Sequence, residues 1–311
     1  MWKHGKTKKG KARWYCKNCR LSGVKKRKDV SLRRWIKIIK KRFIEGLKLK
    51  KIAKEEGLHL HYIQNKCAEV LKKITFKFRR VILDPTKPLI LDGTWLVFRK
   101  SMVLVAHDTE KVLSWKFVTT ENYDSWFSFL SDLEGRPSGI VSDAQKGLLL
   151  AVFARFGNIP HQRCVAHVIR QSKIWLTMNP KTKAGIELLL IVKELAKVKT
   201  AEESEEWKKG YDLWLKKYYD FLKERSHFEN SKRWWYTHRR LRGIRSLLSN
   251  ALPNLFVYID HDIPNTTNHV EGGINSPLKF CFKEHRGLSF ENKKALVNLF
   301  LNERSKRKNQ H

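Results

Sequence analysis

The sequence predicts an α/β protein: a mixed sheet interrupted by a long all-helical insertion and preceded by a small helical domain. Three observations predict it. Between residues 81 and 164, short runs rich in Val, Leu, Phe and Trp give way to two amphipathic stretches separated by another short apolar run. From 165 to 260 the apolar spacing is almost entirely helical, with Trp207, Tyr211, Trp214, Tyr218 and Leu222 recurring every three or four residues. Before residue 81, apolar residues recur at helix spacing on both sides of a glycine.

Composition narrows the classes. A chain of 311 residues suits one large domain or two to three small ones, and a hydrophobic fraction of 41% supports a packed core and excludes global disorder. Lys and Arg number 65 against 30 Asp and Glu, a formal charge of +35 spread along the whole length. Such a surface suits nucleic acid, bound by neutralising phosphates and releasing counterions. A membrane surface or an anionic polysaccharide is the alternative polyanion. A ribosomal or chromatin-like structural protein is usually shorter and poorer in Trp than this chain, which has 11. The longest apolar stretches, such as Gly147 to Ala154, fall far short of the ~20 residues of a membrane span. Among five Cys only Cys16 and Cys19 are close together, the pattern of a reduced, cytoplasmic protein rather than a disulfide scaffold.

Residues 1–30 read as a basic strand or loop running into a Cys-x-x-Cys knuckle at Cys16 and Cys19. Structural Zn²⁺ takes four ligands, so this is half a site, with His4, His59, His61 and Cys67 as candidates for the rest and a pair of free thiols as the alternative. Residues 31–80 hold a helix with Trp35, Ile38, Ile39 and Phe43 on one face. Leu49, Ile52 and Ala53 follow, then Gly57, then a face of Ile63, Cys67, Val70 and Leu71. Helix, glycine turn, helix is the helix-turn-helix pattern, and an ordinary helical hairpin is the alternative. The outer side of the second helix would offer His61, Tyr62, Gln64, Asn65 and Lys66 to base edges and phosphates of double-stranded DNA.

After a linker over residues 74–88, with Pro85 and Pro88, the period changes. LILDGTWLVF, SMVLVAHD and KVLSWKFVTT read as three consecutive strands. ENYDSWFSFLSDL reads as a helix with Tyr123, Trp126, Phe127 and Leu130 inward; GIVSDAQ is a fourth strand; KGLLLAVFARF is a second helix; HQRCVAHVIR starts a fifth strand or a turn. Three meander strands, then helix, strand, helix, strand, is the order of a ribonuclease-H-like sheet. In the insertion, 165–260, the stripe beginning at Trp207 reads as core. Arg240, Arg242 and Arg245 could face phosphate, with Trp234 or Trp235 available to stack on an unpaired base; a solvated basic helix is the alternative. Residues 261–304 carry the turn IPNTTN, a helix around Glu271 and a last amphipathic helix, and 305–311 read as a disordered tail.

Three acids stand out against this basic background: Asp92, Asp143 and Glu271. A polyanion-binding cleft gains nothing from carboxylates unless they hold cations. Phosphodiester cleavage needs a deprotonated nucleophile and a stabilised leaving oxygen, and two divalent cations supply both. Mg²⁺ or Mn²⁺ takes hard oxygen ligands, so a few Asp and Glu suffice. Each acid alone has a plainer explanation: Asp143 as a cap of the helix after it, Glu271 as a first-turn acid favoured by the helix dipole. Asp260 and Asp262 compete with Glu271, which is preferred because Asn265, Asn268 and His269 make a polar cluster beside it.

DGTW around Asp92, SDAQKGL around Asp143, CVAHVIRQ with Cys164 and His167, and NTTNHVEGGIN around Glu271 together give the chain a family resemblance. From about Val81 to Arg304 it resembles a DDE transposase of the Mutator-like group, in its bacterial insertion-sequence branch. The helical insertion between second Asp and Glu is a trait of that group. The N-terminal part resembles the zinc ribbon and helix-turn-helix of some relatives, with one departure: those ribbons carry an earlier Cys-x-x-Cys, whereas this sequence opens MWKHGK. The resemblance implies Asp92, Asp143 and Glu271 as ligands of two Mg²⁺ or Mn²⁺, and Cys164 and His167 near the active centre. It implies binding to terminal inverted repeats and target DNA, a homodimer or larger assembly, and a nucleoid-associated place in a bacterial cytoplasm. Lys146 and Arg163 are further phosphate-contact candidates. A non-catalytic DNA-binding derivative and a structure-specific nuclease are the alternative functions.

Overall fold

The computed structural model describes residues 1–8, 10–24, 32–73, 80–97, 100–228, 233–284 and 287–306. Residues 25–31 of the basic N-terminal stretch, 74–79 of the linker, His285 and Arg286 of the basic HRGLS loop, and the tail from 307 lie outside them. The chain divides into two compact units, Met1–Phe76 with Phe280–Phe300, and Lys77–Lys279 with Leu301–His311.

In the first unit, β1 (Trp2–Lys6), β2 (Ala12–Tyr15) and β3 (Ser22–Val24) form an antiparallel sheet in that order. Cys16 and Cys19 sit in the turn between β2 and β3. Three helices follow, α1 (Leu32–Phe43), α2 (Leu49–Glu56) and α3 (Leu60–Lys73). The expected apolar faces are the buried ones: Trp35, Ile38, Ile39 and Phe43; Ile52 and Ala53; Ile63, Cys67, Val70 and Leu71. Gly57 ends α2 at φ +63, where its N–H and that of Leu58 close the last turn on Lys54 and Ala53. The core these helices share also takes in Cys281, Ala295, Leu296 and Leu299. The segment 261–304, read from sequence as one piece, is thus divided at Lys279.

The second unit begins with β4 (Val81–Ile82) and is built on β5 (Leu89–Val97), β6 (Ser101–His107) and β7 (Val112–Val118). Then come α4 (Tyr123–Ser131), β8 (Leu133–Glu134), β9 (Ile140–Ser142), α5 (Lys146–Phe156) and β10 (His161–Arg163). The main sheet is mixed, in the order β10-β9-β5-β6-β7: β5, β6 and β7 form an antiparallel meander, and β9 and β10 join in parallel on the other side of β5. Leu89, Leu91, Met102, Leu104 and Ala106 face the core that α4 and α5 supply with Trp126, Phe129, Leu130, Leu148, Ala151 and Val152. This corrects the expected α4 face. Tyr123 and Phe127 lie outward, stacked on each other at 5.6 Å, because the helix turns Trp126, Phe129 and Leu130 to the sheet.

The insertion contains α6 (Val165–Leu176), α7 (Lys183–Glu194), α8 (Ala201–Lys217), β11 (Arg225–His227), β12 (Trp234–Tyr236), α9 (Arg239–Ala251) and α10 (Val257–Asp260). Trp207, Tyr211, Trp214 and Leu222 are core, as the stripe predicts. It is not all-helical: β11 and β12 pair antiparallel, since the run Trp234, Trp235, Tyr236 suits a strand better than a helix and Arg225 covers the Trp234 ring at 4.0 Å. The chain returns through α11 (Asn268–Val270), a π-wound segment Glu271–Asn275, α12 (Ser276–Glu284) and α13 (Phe290–Arg304). Among the described residues no helix is long and apolar enough to cross a membrane.

Candidate active site

The sheet's register brings two acids together. Ile90 of β5 pairs in parallel with Val141 of β9. Two residues beyond that pair come Asp92, still in β5, and Asp143, just past the end of β9, close enough for the Asp143 charge to act on Asp92. Strand β5 runs on past Asp92 to Val97 because β6 keeps pairing with it. Strand β9 stops, and the chain turns at Asp143. The turn is locally made: Ala144 N–H donates to Ser142 Oγ at 3.0 Å and Gln145 N–H to Asp143 Oδ1 at 3.1 Å. It costs strain, since Ala144 adopts φ +55, a left-handed conformation that side chains other than Asn and Asp seldom take. Asp143 thus accepts a hydrogen bond within the turn before α5, while α5 itself has Gln145 at its N-cap, without a side-chain cap bond.

Asp92 is 9% exposed. Its Oδ1 accepts from Gly93 N–H at 2.9 Å and its Oδ2 from Asn275 Nδ2 at 2.6 Å. Burial, with the charges of Asp143 and Glu271 added, pushes its carboxyl up to about 7 against the opposing pull of His167. Glu271 is reached from the insertion side. Arg170 of α6 donates to Glu271 Oε2 at 2.7 Å and holds its other oxygen as well. Burial works against the Glu271 charge, but Arg170, then His167 and Lys279, outweigh it and keep the carboxyl below its ordinary range.

Cys164 and His167 tie the Glu-bearing segment to the sheet. Thr267, fully buried just before α11, donates its N–H and its hydroxyl to Cys164 Sγ at 3.2 and 3.3 Å, and its Oγ1 lies 3.3 Å from His167 Nδ1. Val165 N–H donates to Asn265 O at 3.0 Å beside them. The sulfur of Cys164 raises His167 to about 9, with Asp92 and Asp143 adding, so a cationic imidazole stands near the acids. Burial opposes a thiolate at Cys164, but the hydrogen bonds from His167 and Thr267 prevail and lower it.

The sequence reading does not single out three residues at this site. Glu121, after β7, reaches the same place: its Oε1 lies 3.1 Å from where a side chain on Gly93 would start, and burial, with the Asp143 charge, pushes it up to about 7. It sits in a polar stretch, TTEN, without periodicity. Asn275 and Arg170 are the others; each follows a noted motif residue by one helical turn, and that i+3 or i+4 spacing was the available clue.

The remaining candidates scatter. Lys146 is exposed at the start of α5. Arg163 is half-buried on β10, near enough to Asp143 to feel its charge, with its Nε buried and unpaired. Asn268 and His269 are exposed, and the His269 ring faces His107 at 6.2 Å. His61, Tyr62, Gln64 and Asn65 are exposed on α3, while Lys66 pairs with Glu69 at 2.6 Å. Arg240 is exposed, and Arg245 borders a cavity of ≈ 340 Å³ with Tyr219 and Ser249. Arg242 turns inward instead, 3.4 Å over the Tyr236 ring and donating to Leu222 O at 2.9 Å, which removes it from the phosphate-facing set. Trp235 is half-buried against Phe228, and Trp234 is the more open ring. Cys16 is drawn below the ordinary thiol range by the N–H and thiol of Cys19.

Among the described residues no three His, Cys, Asp or Glu side chains are grouped closely enough to hold a metal ion as they stand. At the knuckle, Cys16 and Cys19 supply two of the four ligands that structural zinc takes. At the sheet the donor chemistry differs: Asp92, Asp143, Glu121 and Glu271 offer hard carboxylate oxygens to one neighbourhood, with Glu271 engaged by Arg170.

Residues 67–272, well over half the chain and the span holding every acid above, match the family model of the Mutator-family transposases. The chain belongs to that family. No curated protein matches it. The transposase thus carries its family-defining region from the end of α3 to the first residues of the π-wound segment.

Proposed function

We propose that this transposase, of the bacterial insertion-sequence branch, cuts and rejoins DNA at Asp92, Asp143 and Glu271 on a ribonuclease-H-like sheet. One observation carries the reading: Asp92 and Asp143 both follow the paired stretch of two parallel strands, near enough for their charges to interact, and the segment bearing Glu271 is bonded to that place through Asn275–Asp92 and Thr267–Cys164. The strand order β10-β9-β5-β6-β7 agrees with the proposed sheet.

Asp92, Asp143 and Glu271 would hold two Mg²⁺ or Mn²⁺, which when bound activate the attacking oxygen and stabilise the leaving one. Their oxygens fit such ions, but Glu271 completes the set only on leaving Arg170. Three carboxylates desolvated together repel one another, which is the condition a divalent cation relieves. His167, held cationic by Cys164, stands on the acids' side and can pair with a DNA phosphate. Arg170, once released, is a second such cation, and Lys146 and Arg163 flank them. In the first unit, the exposed face of α3 with His61, Tyr62, Gln64 and Asn65 would read the terminal inverted repeats as a helix-turn-helix. Two ends must be cut together, so the working form is a homodimer or larger assembly. Trp234, under Arg225, offers a stacking surface to unpaired DNA.

The test is cleavage and strand transfer of a duplex bearing an element end, with Mg²⁺. Asp92→Asn, Asp143→Asn and Glu271→Gln should each lower cleavage by more than about a hundredfold, beyond what loss of a supporting partner costs. Any of the three retaining full activity loses its role. Cleavage without joining would make the protein a structure-specific nuclease; binding with neither would make it a regulatory DNA-binding derivative.

A further inference from the structure

We infer that Asn275 is a positioning residue of this site: its amide fixes the Asp92 carboxylate, and its buried carbonyl accepts an O–H group brought in with the cation. The inference rests on the reading that Asp92 is a metal-holding acid.

The geometry of Asp92 leads there. Each of its two oxygens receives one donor, Gly93 N–H on one side and Asn275 Nδ2 on the other, at 2.9 and 2.6 Å. A carboxylate oxygen has two lone pairs, so this grip fixes the plane of the group and leaves a lone pair on each oxygen for a further partner. A backbone N–H alone would leave the group free to rotate; the second contact removes that freedom.

Asn275 itself is 3% exposed, and its Oδ1 has no hydrogen-bond partner. The ionised form of Asp92, the form that holds a cation, only accepts, and toward it the amide turns its NH₂ and points its carbonyl away. The orientation is therefore set by Asp92, and the unpaired carbonyl is its consequence. Leaving a buried acceptor unsatisfied costs about 1–3 kcal/mol. Such a position is tolerated where a group that belongs there arrives later.

Asn275 also lies four residues after Glu271, at the end of the π-wound segment. Single π turns inside helices concentrate at functional sites. One short segment, 183 residues from Asp92 in the chain, thus delivers an acid and the clamp for another acid. Asp92 is correctly held only when the segment following the insertion is docked.

The experiment uses the full chain and Mn²⁺ alone, followed by electron paramagnetic resonance or calorimetry. It is paired with the Mg²⁺ dependence of cleavage and with unfolding in EDTA. Asn275→Leu is the main variant, close in volume and free of the unpaired carbonyl; Asn275→Ala is the second; Asn275→Gln keeps an amide on a longer stem. Asn275→Leu and Asn275→Ala should weaken Mn²⁺ binding and raise half-saturating Mg²⁺ by roughly tenfold to a hundredfold. The KM for the DNA end should stay unchanged, and Asn275→Gln should recover part of the loss. A merely structural residue would lower the unfolding temperature and leave the metal dependence of the folded fraction untouched; that result overturns the inference, as does wild-type Mn²⁺ affinity in both variants. So does failure of both to fold in EDTA, since a clamp for a metal-holding acid is not needed by the metal-free fold. If Asp92→Asn binds Mn²⁺ as the wild type does, the reading of Asp92 fails, and Asn275 falls with it for that separate reason.

Discussion

The large aromatic rings of the helical insertion and the polar groups at the end of the main sheet are buried in opposite ways. In the insertion, Trp207 Nε1 donates to Ile191 O at 2.8 Å, Tyr211 hydroxyl to Arg245 O at 2.9 Å and Trp214 Nε1 to Ala184 O at 2.9 Å. Every one of these large rings is core and has its polar atom satisfied. At the sheet end, Thr94 Oγ1, Arg163 Nε and Asn275 Oδ1 are buried and have no partner among the described residues, near carboxyls that burial has raised. The insertion is arranged for stability. The sheet end holds groups that would be more stable elsewhere, as expected of a site awaiting charged partners.

Breaking the insertion should have the largest effect. Trp214→Ala removes a buried ring and the bond its indole gives to Ala184 O, and is expected to cost about 3–5 kcal/mol, read from chemical denaturation. At the sheet end the sign reverses. Asp92 has a carboxyl raised to about 7 when folded against about 4 unfolded, so between those values the folded chain holds more protons. Stability then falls as pH rises from about 4 to about 7 and stays reduced above. Asp92→Asn should therefore stabilise the metal-free protein by about 1–4 kcal/mol at pH 8 and hardly at all at pH 4, while abolishing cleavage. His107 and His161, lowered to about 4 by burial, act in the other direction: they stay neutral when folded and withdraw stability as pH drops below about 6.5.

Smaller effects sharpen the contrast. Arg170→Gln leaves Glu271 uncompensated but half-exposed, and should cost no more than about 1 kcal/mol in unfolding experiments. Trp234→Ala, on an exposed hairpin ring, should change stability by less than about 0.5 kcal/mol while weakening single-stranded DNA binding by about 1–3 kcal/mol, seen by fluorescence titration.

The sequence exposes the parts of this molecule that depend on local period. Apolar runs ending at Asp92 and Asp143 mark two strands, and the stripe from Trp207 to Leu222 marks a core helix. What it hides depends on distant partners. Glu121 has no pattern around it and gains meaning only because its carboxylate reaches the open side of Gly93. Asn275 looks like the tail of a glycine-rich turn until Asp92 is placed against it. The face of α4 cannot be chosen between Phe127 and Phe129 without the sheet beneath. Nothing near Cys281 or Leu296 announces that they share a core with α1 and α3, because that pairing spans more than two hundred residues.

Gly147 sets a tolerance that no charged group supplies. A methyl group there would stand 2.9 Å from Tyr123 N and 3.1 Å from the Asn122 carbonyl carbon, both main-chain atoms with no rotamer to yield. The first turn of α5 therefore rests bare against the junction that follows Glu121. The gap between the acid before that junction and the acid before α5 is measured by the absence of one carbon atom, so any side chain at 147 would act as a spacer, moving Glu121 away from Asp143 without touching either.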